Sequence, residues 1–160
     1  AFEAVAYGLE ALGVMRVEKG HAAGNELAGQ TTALNLGMGR MVSKKKDCIG
    51  NTLSERPELN REDALSLVGF MPVDREKSLA AGAHFIAAGN EANTANDEGW
   101  MSSVTHSPIL GHSIGLGFIK NGDQRKGEIV RAVDPLRDSE VEVEIVSPHF
   151  IDPEGERLRG

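Results

Sequence analysis

From residue 64 onward the apolar residues tend to recur at every second position, and the run "EVEVEIV" at 140–146 does so in strict order. Side chains alternate across a pleated strand, so this run has one wet face and one dry face. Five further segments are bounded like strands: "ALSLVGFMPV" (64–73), "AHFIA" (83–87), "GWMSSVTH" (99–106), "HSIGLGFI" (112–119) and "GEIVRAV" (127–133). Between them, "DREKSLAAG", "NEANTANDE", "KNGDQRK" and "DPLRDS" carry turn chemistry. Strands at this spacing with no helix between them predict a six-stranded antiparallel β-barrel, closed or nearly closed.

The first sixty residues read differently. Phe2, Val5, Ala6, Leu9 and Leu12 stand at helical spacing, with Gly13 placed to stop that helix. Val14 to Glu18 then alternates like a strand, its one break being the apolar pair Val14 and Met15. "GHAAGNEL" is a loop by its glycines. A short helix capped by Thr31 or Thr32 and ended by Gly37 and Gly39 is expected next. A second is expected in "KKDCIGNTLSERPEL", broken at Pro57, and the polar stretch 54–63 is the plausible linker. The fold class is therefore α+β: residues 1–58 end an α+β domain, and residues 59–160 form the barrel.

Charge narrows the function. A net charge of −7 over 160 residues opposes nucleic-acid binding, which needs a clustered excess of Lys and Arg. The basic run "SKKKD" (43–47) reads as a solvated face. The single cysteine, Cys48, excludes an internal disulfide framework and reads as a small packing residue in a half-buried stretch. No apolar run reaches the ~18 residues of a membrane span, and no signal peptide opens the chain, so a cytoplasmic setting is expected. The chain does not begin with Met, and its opening lacks an N-cap, so a piece of something larger is expected.

No catalytic or metal constellation is legible. "GMGRMV" (37–42) lacks a preceding strand and has Val42 where a dinucleotide fingerprint needs its third glycine. "GLGF" (115–118) lies within a strand, where glycine marks close packing or a bulge. His106 and His112 flank a proline turn without a third ligand, while His21, His84 and His149 read as solitary. The glutamates at 140, 142 and 144 share a solvated face and repel one another. Arg16 and Glu18 remain; on a strand, i and i+2 share a face, so they are expected to form an ion pair, either at a domain seam or facing a polar ligand.

Read as a unit, "YGLEALGVMRVEKGHAAGNEL" resembles the helix–strand–turn segment of the folate-binding aminomethyltransferase superfamily. Its members show Leu-Arg-x-Glu-x-Gly, a small spacer, then Gly-x-Glu-Leu or Gly-x-Glu-Met; Met15 to Gly20 and Gly24 to Leu27 hold those places. "NLGMGRMV", "KKDCIG", "SSVTHSPILGHSIGLGFI" and "VEVEIVSPHFIDPEGERLRG" follow in family order. The Glu-Lys-Gly form and the ending are similar to the branch found in alpha subunits of heterotetrameric sarcosine oxidases. The resemblance implies a tetrahydrofolate-binding region that receives the product of sarcosine demethylation, with NAD and flavins elsewhere in the complex. The implied partners are the N-terminal part of the same subunit, a flavin-carrying beta subunit and small subunits. It implies that Arg16, Glu18 and Lys19 orient the edge of the folate site and that Gly20 permits the turn. The family's catalytic Asp and pterin-reading Tyr and Glu match no motif here, so no catalytic residue is expected. T-proteins carry Arg-Asp where this chain has Leu12-Gly13, so that contact is not carried over. Two rivals are a subunit-docking barrel without a ligand and a glycine-cleavage aminomethyltransferase domain working with a lipoyl carrier protein.

Overall fold

A computed structural model describes residues 4–43 and 45–159 of the chain. The six expected strands are all there: β1 (Leu65–Pro72), β2 (His84–Ala87), β3 (Asp97–Ser107), β4 (His112–Lys120), β5 (Ile129–Asp134) and β6 (Ser139–Val146). They pair antiparallel in the order β1-β4-β3-β2-β5-β6, and β6 returns to β1 to close the barrel. Closure gives each of these six strands a neighbour on both sides.

Alternation decides which side chains fill the interior. In β6, Val143 and Ile145 are buried while Glu140 and Glu142 are exposed. The glutamate row is relieved from β5, where Arg131 meets Glu140 at 2.8 Å. Inside the barrel, Val68, Phe70, Phe85, Met101, Val130 and Ile145 belong to one cluster, with Phe70 and Phe85 stacked at 4.0 Å between ring centroids. β1 and β4 bury their outer faces as well, so "HSIGLGFI" reads as a nearly continuous apolar run. Leu67, Ile114, Leu116 and Phe118 form a second cluster on that outer face, joined by Val17 from the N-terminal region. Gly117 is the close-packing glycine that "GLGF" suggested: a Cβ there would crowd the Trp100 carbonyl and the Phe70 ring.

The N-terminal region corrects the sequence reading in several places. The helix α1 spans Leu9–Lys19, so Gly13 does not stop it and Val14 to Glu18 is helical, not a strand. Val5 and Ala6 precede the helix in exposed chain, and Phe2 lies outside the described residues. The reason is visible in the spacing: Val14, Val17 and Glu18 stand at i, i+3 and i+4, and their common face meets the barrel. A mid-helix glycine costs only about 1 kcal/mol, which that burial offsets. The true stop is Gly20, at φ 74°, where Gly20 N–H donates to Val17 O and His21 N–H to Arg16 O.

The expected short helix after Thr31 shrinks to one turn, in which Thr32 and Asn35 cap each other and Asn35 reaches Leu65 O at 2.7 Å. The second is only α2 (Asn51–Ser54), and Pro57 opens a 3-10 turn, Pro57–Leu59, in place of ending a helix. Cys48 is exposed, not half-buried packing. Lys44 of the basic run lies outside the described residues, and Lys45 and Lys46 are exposed. Within the linker, exposed Arg61 pairs with Asp63 at 2.8 and 2.9 Å. A last short helix, α3, covers Glu156–Arg159.

Candidate functional site

Arg16, Glu18, Lys19 and Gly20 all fall on the last turn and cap of α1, where the helix lies against β3 and β4. On a helix, two residues apart are not neighbours. The expected Arg16–Glu18 pair therefore does not form, and each side chain takes a partner elsewhere.

Arg16 pairs with Glu26, its Nη1 lying 3.0 Å from Oε2, and its Nη2 donates to Ser103 Oγ at 2.7 Å. Glu26 is wholly buried and accepts three further hydrogen bonds: from Ala23 N–H at 2.9 Å, and from the Ser102 and Ser103 hydroxyls at 2.6 Å each. Both serines can reach one carboxylate because the β3–β4 register slips between Met101 and Ser103, a bulge that breaks the strand's alternation. Asn25 adds a hydrogen bond to Ser102 O at 3.1 Å. A buried charge of this kind is tolerable only with every lone pair engaged.

Burial by itself would raise the Glu26 pKa; the Ser102 and Ser103 hydroxyls, the Ala23 N–H and the Arg16 charge outweigh it and hold the carboxyl below its ordinary 4.5. A carboxylate depressed in the folded state contributes stability above its unfolded pKa and loses it as pH falls through the folded value. Urea unfolding followed from about pH 7 down to about pH 3 should therefore show a loss of stability that begins near the ordinary carboxylate pKa. In Glu26→Gln that acid slope should flatten; an unchanged slope would mean that Glu26 does not titrate this way.

Glu18 points into the barrel wall, where the fully buried Ser107 donates to its Oε1 at 2.5 Å. Its carbonyl accepts from both Phe150 and Ile151 N–H at 3.0 Å. Lys19 binds the Asp152 carbonyl and lies 3.3 Å from its Oδ2, while the Lys19 carbonyl accepts from His149 Nδ1 at 2.9 Å. The segment 147–152 thus straps the end of α1 to the barrel, and Gly20 faces Pro148 where a Cβ would strike the backbone. What remains outward is cationic: Arg16 and Lys19 keep 24% and 28% of their side chains exposed at one helix end.

Sequence reasoning missed Glu26, Ser102, Ser103, Ser107 and Asp152. Two signals could have found the first three: the "GNEL" glutamate sits in a quoted motif, and the doublet "SS" interrupts the alternation of β3. His84 is not solitary, for its Nδ1 lies 2.9 Å from Asp97 Oδ2. His106 stands opposite Ser113, not His112, in the β3–β4 ladder. Among the described residues no three His, Cys, Asp or Glu side chains gather as a metal site, and no helix is long and apolar enough to cross a membrane. A cleft of about 340 Å³ lies away from the α1 seam, between the linker and the barrel end, walled by Trp100, Phe118, Arg61 and Lys120.

A closed six-stranded antiparallel barrel, sealed on one face by a helix and a C-terminal strap, is the class of domain that this fold and seam define. The chain belongs to the glycine cleavage T-protein C-terminal barrel domain family, whose pattern matches residues 66–152. It is similar to the sarcosine oxidase subunit alpha of Rhizobium meliloti (strain 1021), with 39% identity over 95% of this chain and 16% of that one. The sarcosine oxidase subunit alpha of Corynebacterium sp. (strain U-96) is 38% identical over 99% of this chain and 17% of its own. An aminomethyltransferase of Aquifex aeolicus (strain VF5) is 27% identical over 96% of this chain and 35% of its own. The fold is shared with the crystal structure of glycine cleavage system aminomethyltransferase T from Bartonella henselae, at a TM-score of 0.72 and 21% identity, over 91% of this chain and 39% of that one. The chain spans about one sixth of the length of the sarcosine oxidase relatives.

Proposed function

We propose that this chain is the tetrahydrofolate-binding region of a sarcosine oxidase alpha subunit. The observation that carries the reading is the identity of 38–39% to such subunits over 95–99% of the chain. Residues 1–58 complete a folate-binding α+β domain and residues 59–160 are its barrel. Tetrahydrofolate, when bound, takes up the one-carbon unit released by sarcosine demethylation as methylenetetrahydrofolate. The oxidation itself belongs to flavin and NAD sites on other polypeptide, in a cytoplasmic hetero-oligomer with a flavin-carrying beta subunit and small subunits.

The chain's own residues supply the edge of that site. Arg16 and Lys19 are partly exposed cations at one helix end, which suits the carboxylates of a folate tail. Glu18 and Gly20 hold the end of α1 against the strap, keeping both cations in place. Chemistry is not assigned to them, since every carboxylate of the seam is committed to a hydrogen bond or an ion pair. The N-terminal region also exposes Val5, Tyr7, Leu9, Met41, Ile49 and Leu53, each at more than half its surface. Apolar surface of that extent supports further folate-domain polypeptide packing there.

Calorimetry tests the reading. Residues 1–160 alone should give little or no heat with tetrahydrofolate, whereas the whole alpha subunit should give a saturable signal that Arg16→Ala weakens. Tight binding by residues 1–160 alone would put the main ligand contacts inside this chain, and no binding by the whole subunit would end the proposal.

A further inference from the structure

We propose that Glu26 is a positioning residue for the folate site, setting where the Arg16 guanidinium stands; this rests on the function proposed above. The carboxylate makes no approach to solvent, so it cannot touch a ligand itself. It binds Arg16 Nη1 through Oε2, and it binds both β3 serines through Oε1. Ser103 closes the ring by accepting from Arg16 Nη2. Two of the guanidinium nitrogens are thereby anchored in fixed directions, and the plane of the fork is set. The anchor reaches across three elements: α1 carries Arg16, the loop after it carries Glu26, and the β3 bulge carries both serines. A guanidinium held this way presents its open edge at the rim with no rotamer search when an anion arrives.

The structure gives the arrangement a specificity that a plain salt bridge lacks. A glutamine at position 26 could keep the shape, and its amide oxygen could keep the serine bonds, but its NH2 would face the Arg16 Nη1 and Ala23 N–H donors and accept from neither. It would lose the charge that draws Arg16 inward. A packing role and a positioning role can therefore be separated by the same substitution.

The experiment is a double-mutant cycle on the assembled enzyme, with tetrahydrofolate as the varied substrate and methylenetetrahydrofolate formation as the readout. Glu26→Gln should raise the tetrahydrofolate KM about tenfold, and Arg16→Ala should raise it at least as much. In the double variant the Glu26→Gln effect should disappear, because the group it positions is gone. Ser103→Ala, which also loses an anchor of Arg16, should move KM in the same direction by a smaller factor. If Glu26→Gln leaves KM unchanged, or if its effect persists undiminished in the Arg16→Ala background, the positioning role is wrong and Glu26 only packs. Wild-type enzyme that fails to saturate with tetrahydrofolate overturns the function proposed above, and this role with it. Saturation in the wild type, weakened by Arg16→Ala but indifferent to Glu26→Gln, overturns this role alone.

Discussion

Replacing Gly20 by alanine is expected to destabilise the chain by about 2–4 kcal/mol and to free the C-terminal strap. Two causes add. The backbone at φ 74° is left-handed, which costs a residue with a Cβ about 1–2 kcal/mol. The new Cβ would also fall on the Pro148 carbonyl and the His149 ring, so either the strap or the helix end must move. Movement there threatens the two hydrogen bonds onto Glu18 O and the Lys19–Asp152 contact together. Gly89→Ala provides the control, because Gly89 sits at φ 83° with nothing near its missing Cβ. Its cost should be the conformational part alone, about 1–2 kcal/mol. Equal losses in urea unfolding for the two variants would mean that the strap does not press on Gly20.

Phe85→Ala should be the most damaging core substitution, costing about 3–5 kcal/mol. Phe85 lies on the short strand β2, has no solvent exposure and stacks on Phe70 at an interplanar angle of 18°. Its ring joins the buried residues of several strands, so a cavity there cannot be filled by shifting one neighbour. For a domain of this size the loss corresponds to a fall in Tm of roughly 10 °C. Phe85→Leu, which keeps most of the volume, should recover about half of that. Calorimetric unfolding decides the matter, and a Phe85→Ala melt within about 2 °C of the parent would contradict the buried stack.

The seam around Arg16 explains why a correct barrel came with an incorrect entry to it. Five residues, Val14 to Glu18, satisfy a period of two and a period of 3.6 about equally well, and a window that short cannot separate them. What separates them is the barrel's outer wall. Leu116 and Phe118 offer an apolar face to Val17, and Ser107 offers a hydroxyl to Glu18, from residues about 90–100 positions further along the chain. Glu26 was likewise hidden. Its donors come from its own loop, from the helix and from a strand more than seventy residues downstream, and only the fold brings them within 3 Å.

By itself the sequence determined the six strands, the turns between them and the wet and dry faces of β6, because a half-buried strand writes its orientation into every second residue. The resemblance in its ordered motifs also determined the family. The tertiary structure alone decided where α1 ends, which partner Arg16 keeps and how the strap locks Gly20. Those outcomes depend on contacts between residues distant in the chain, and a local pattern carries no record of them.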